Sequence, residues 1–171
     1  IDDLQLLLTT QTLLGNMFTD FFQSTNWPTN YLEYKRVSTD ATDECCKDPR
    51  SMTVYLAEES NIDLYMRDPL KRPDFQWGET YCTLTQDTIK IFKKDFNIIN
   101  PTLVYYRKPV NIEIIGCVDP YTEAVSVVDV NPEFKDDIVE VIIDEAVAIV
   151  AGDIDAVNQA IRGSQSAEKN N

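Results

Sequence analysis

Four thiols, no imidazole and a surplus of carboxylates limit the chemistry open to this chain. Acid–base and nucleophilic catalysis usually pairs a base with a nucleophile, and without histidine that base must be Lys, Asp or Glu. The neighbours Asp136/Asp137 and Asp144/Glu145 have the residue types of a glycosidase acid and base. Adjacent helical residues point in different directions, however, so a solvated acidic stripe is the plainer reading. There is no G-x-S-x-G, S-x-x-K or P-loop, and the chain has only five glycines to shape a phosphate cradle. Cysteines 45, 46, 82 and 117 contain no C-x-x-C pair, so a zinc site would need four scattered thiolates. Free thiols are the expectation. Asp119-Pro120-Tyr121-Thr122-Glu123 has oxygen ligands for a loosely held cation but reads better as a β-turn. The chain is therefore expected to have no catalytic residue, no metal and no cofactor.

A second constellation is basic and aromatic. Arg67, Lys71 and Arg72 flank Pro69 and Pro73, with Phe75 and Trp77 close behind. Such a set can stack and clamp a nucleic-acid strand. Asp68, Asp74 and Glu79 interleave with it and cancel most of its field, which favours a structural or subunit-contact role. The overall charge is −14 and unevenly spread. Residues 35–108 carry twelve charges of each sign, whereas residues 109–171 carry thirteen acids against three bases, a local charge of −10. An acidic C-terminal third repels phosphate, which argues against nucleic-acid binding as the main task.

The elements that must position these groups are mostly strands. Thr88-Ile89-Lys90-Ile91-Phe92-Lys93 alternates, placing Ile89 and Ile91 on one face of a half-buried strand. Tyr81–Leu84 precedes it, and a turn at Thr85-Gln86-Asp87 makes the two a hairpin. Tyr31–Ser38 and Met52–Leu56 read as further strands, Trp27-Pro28-Thr29-Asn30 as a turn, and 39–50 as an exposed loop. Glu58–Met66 is a short helix at best. Thr102–Ile115 is β-rich, with Pro109 marking an edge, a bulge or a break. Leu4–Leu14 fits neither a clean helix nor a clean strand. Asn131 and Pro132 read as N-cap and first residue of a long helix whose apolar face includes Phe134, Ile138, Val141, Ile142 and Ile149. Gly152 is a suitable C-cap, and a shorter helix follows over about 153–162. The expected fold class is α+β: an antiparallel sheet packed against a long C-terminal helix, with a second short C-terminal helix. Residues 1–162 are expected to form one domain and 163–171 a disordered polar tail. No segment approaches the apolar length of a membrane span, and no signal peptide is evident.

Four stretches carry a family resemblance: WPTNYLEYKRV (Trp27–Val37), DPLKRP (Asp68–Pro73), DTIKIF (Asp87–Phe92) and LVYYRKPV (Leu103–Val110). Together they resemble the neck, or ring, proteins of crAss-like and related tailed bacteriophages, over about residues 27–150. The resemblance implies a virion structural protein in the neck or tail, assembled in the bacterial host cytoplasm. It implies a homo-oligomeric ring, twelve copies to match the portal, joined to portal or other neck and tail proteins around the DNA channel. It also implies β structure from Leu8 onward and a helical segment before Ile1. A carbohydrate-binding or host-recognition module with exposed Tyr, Trp and Phe is the alternative, and an enzyme acting on cell-wall sugar the least supported.

Closed rings use heterologous contacts, in which one face of a subunit meets a different face of the next. The expected contact sets Arg67, Lys71, Arg72, Arg107 and Lys108 of one copy against Asp136, Asp137 and Glu140 of its neighbour. The competing possibility is that these charges pair within one subunit or simply face solvent.

Overall fold

The computed structural model describes residues 3–45, 47–118 and 123–169. Cys46 and the anticipated turn at 119–122 lie outside the described residues. The chain divides into two compact units, one of residues 7–108 and one of residues 1–6 and 109–171.

The first unit is an eight-stranded sheet. Its strands are β1 (Leu8–Thr12), β2 (Gly15–Met17), β3 (Phe21–Ser24), β4 (Tyr31–Thr42), β5 (Arg50–Leu56), β6 (Glu79–Thr85), β7 (Thr88–Phe92) and β8 (Asn97–Arg107). The spatial order is β1-β8-β4-β5-β6-β7-β3-β2. The two edge strands, β1 and β2, are therefore separated in sequence by Leu13 and Leu14 alone. So short a link holds the edges close together, and the sheet curls into a half-barrel. Asn26 laces this seam: its Oδ1 accepts from Leu14 N at 2.7 Å, and its Nδ2 donates to Thr12 O at 2.9 Å. Leu13 N donates to Pro101 O at 2.8 Å, and Leu13 itself is buried.

The alternation along β7 works as its sequence demands. Ile89 and Ile91 are fully buried, while Thr88 and Lys90 are half-buried. Residues facing the same interior include Val37, Ala41, Met52, Cys82, Leu103 and Tyr105. The hairpin forms with Thr85 paired to Thr88, and Gln86 takes φ 47° in its two-residue turn. Strand β8 ends at Arg107, before Pro109. Its internal Pro101 is accommodated at a bulge, where Thr39 of β4 lies opposite Asn100 and Pro101 and Asn100 adopts φ 50°.

The expected fold class is overturned in three respects. The sheet is mixed, because β5 and β6 run parallel, with Tyr55 opposite Tyr81. A parallel pair needs a crossover of a dozen or more residues, here a 3-10 turn (Glu59–Asn61), helix α1 (Ile62–Arg67) and the loop to Gly78. Second, the long helix α2 (Asp136–Lys169) belongs to the other unit, and most of its described apolar side chains are exposed, Val141 at 64% and Val147 at 61%. Third, no second helix follows. Gly152 is not among the positive-φ glycines, so it lacks the left-handed conformation that ends a helix, and α2 continues to Lys169.

Two boundaries also move. Residues 39–42, expected in a loop, complete β4, where Thr39 and Ala41 point inward. Helix α2 starts four residues after Pro132, with Ile138 N and Val139 N both donating to Lys135 O at 3.0 Å. Glu133 is engaged elsewhere, its Oε2 accepting from Val110 N at 2.8 Å. Before α2, residues 109–118 and 123–135 are loosely paired as an arm, with bridges Glu113–Val130 and Val118–Val125.

Candidate functional site

The basic turn is built by two aspartates. Asp68 caps it at the end of α1: its Oδ1 accepts from Leu70 N at 3.0 Å, and its carbonyl from Lys71 N and Arg72 N. Asp74 repeats the device, with Oδ1 accepting from Gln76 N at 2.7 Å and Trp77 N at 3.0 Å. The acids that dilute the positive field are thus the residues that shape the loop. This fixes Arg67 and Lys71 on the exposed surface and leaves Arg72 half-buried beside Pro73, Asp43 and Asp95 around a small cavity of about 140 Å³.

The other proposed contact residues are placed apart. Arg107 closes β8 and Lys108 follows it, its N–H donating to Asn30 O at 2.7 Å. In the sheet, β4 and β5 lie between β8 and the β6 strand that receives the crossover. Asp136, Asp137 and Glu140 occupy the first turns of α2 and are exposed. The five bases therefore form two groups, Arg67/Lys71/Arg72 and Arg107/Lys108.

Sequence reasoning missed an aromatic ladder on the crossover. Tyr65 of α1 stacks on Tyr81 with ring centroids 4.9 Å apart, and the Tyr55 ring sits 6.0 Å from Tyr81, tilted by 41°. Only the parallel β5–β6 register makes Tyr55 and Tyr81 neighbours, so no local pattern announces the set. Tyr55 Oη donates to Glu79 Oε1 at 3.2 Å, and that bond to the carboxylate raises the Tyr55 pKa. Burial first, then the charge of Glu79, raises that of Tyr81. Leu56, Leu64, Leu70 and Trp77 are exposed on the same crossover and its flanking strands. Next to it, Lys90 of β7 pairs with Glu59, a hydrogen bond that lowers the Glu59 pKa.

Beneath the sheet surface lies the one strongly perturbed thiol among the described residues. Cys82 is fully buried and its Sγ lies 3.6 Å from Tyr34 Oη, which accepts from Val37 N at 3.1 Å. Burial pushes the Cys82 thiol up to about 11 and raises Tyr34 still further. A protonated, inaccessible sulfur is a poor nucleophile, so Cys82 is a packing residue. Cys45 and Cys117 are exposed free thiols. Among the described residues, no three Cys, Asp or Glu side chains are grouped as a metal site requires.

The second unit offers an apolar groove of about 490 Å³ along the arm, lined by Val110, Ile112, Ile114, Val118 and Phe134 among others. Within the arm, Asp129 Oδ1 accepts from Ile115 N at 2.8 Å. No helix among the described residues is long and apolar enough to cross a membrane. No family model matches the chain, and no curated protein matches it in sequence.

Proposed function

We propose that this chain is a virion structural protein that forms an oligomeric ring in the neck or tail of a tailed bacteriophage, joining portal to tail around the DNA channel. The observation that carries the reading is α2. It is a 34-residue helix whose Ile and Val side chains are exposed from Val141 to Ile154, with Ile138 and Val139 half-buried. Contiguous apolar surface of this kind marks a place where another protein surface is to be covered. The resemblance of Trp27–Val37, Asp68–Pro73, Asp87–Phe92 and Leu103–Val110 to neck proteins supplies the context, and twelve copies would match a portal. The −10 charge of residues 109–171 suits a wall past which DNA must slide without adhering. The role is structural rather than catalytic. Imaging of assembled particles with this chain located is the test. A closed ring between portal and tail is expected, and single copies or a position on the capsid shell would end the proposal.

The tyrosine ladder favours a second reading. Clustered tyrosine rings, one pair stacked and one tilted, with an adjacent carboxylate, Glu79, form the type of platform on which sugar rings stack through their C–H faces. Saturable glycan binding abolished by Tyr81→Ala, without a ring in the particle, would select a host-recognition module instead.

A further inference from the structure

We draw no further inference here: the strongest candidate, the broad apolar face of α2 that exposes Ile142, Ile143, Val147, Ile149, Val150 and Ile154, is unpartnered, and nothing in the structure shows what covers it.

Discussion

Changing Asn26 to alanine should loosen the sheet where its two edges meet. The substitution removes two hydrogen bonds, Leu14 N to Oδ1 at 2.7 Å and Nδ2 to Thr12 O at 2.9 Å. The contact between Gln11 Nε2 and the Asn26 carbonyl survives, since it uses the backbone. Both lost bonds are at the surface, where water can replace the missing partner. Each is therefore worth about 0.5–1 kcal/mol net, the lower part of the usual range, and the pair about 1–2 kcal/mol. For a chain of this length that is a melting-temperature drop of about 2–8 °C. Asn26→Asp keeps the acceptor for Leu14 N but sets a carboxylate against the Thr12 carbonyl, so it should not rescue. Thr25→Val should cost less, because the Thr25 N–H still donates to Leu14 O at 2.8 Å. Chemical denaturation gives the energies, and hydrogen exchange at the Leu14 amide reports the seam itself. Unchanged Leu14 protection in Asn26→Ala, together with an unchanged midpoint, would refute the idea that this side chain holds the edges together.

Other outcomes follow from single groups. Because burial raises the folded Cys82 pKa from 9.0 to about 11, its contribution is complete below pH 9 and is lost as pH rises to about 11. The shift corresponds to about 2–3 kcal/mol, measurable as a steeper alkaline loss of stability in wild type than in Cys82→Ala. Gly15→Ala places a Cβ 2.0 Å from the Gln23 carbonyl oxygen of the paired strand and should cost about 1–3 kcal/mol or more. Gly152→Ala meets nothing within 4 Å and should stabilise α2 by about 0.5–1 kcal/mol, read as increased helicity. Reversing Lys71 and Arg72 to Glu should impair ring incorporation, and Asp136→Lys with Asp137→Lys should restore it. Exposed pairs contribute only about 0–1 kcal/mol each, so the effect should appear in register and association rate, and failure of the rescue would assign these charges to solubility alone. A gel shift at low salt should show no DNA complex, and salt-sensitive binding would identify the basic turn as a nucleic-acid site.

What the sequence determined by itself was local. The alternation around Ile89 and Ile91, the turn at Gln86-Asp87 and the short helix before Pro69 each depend on a few consecutive residues, whereas the β-rich run expected from Thr102 to Ile115 stops at Arg107, Pro109 having left an edge, a bulge or a break all open. In the same way the amphipathic spacing beyond Asp136 made α2 legible as a helix. Its limits were not, because the helix begins four residues after Pro132 and runs through Gly152, residue types that suit helix ends without making them here. Tertiary structure decided which strands meet. Nothing near Tyr55 reveals that Tyr81 lies beside it, since that follows from a parallel pairing across a long crossover. Nothing in Leu8–Thr12 or Gly15–Met17 announces that they are the two edges of one sheet. What covers the apolar side of α2 was equally hidden, for a helix's apolar period fixes which side must be buried and not what buries it. Pairing and covering are set by contacts between residues far apart in the chain, where the loop-closure entropy of every alternative competes and no short window holds the answer.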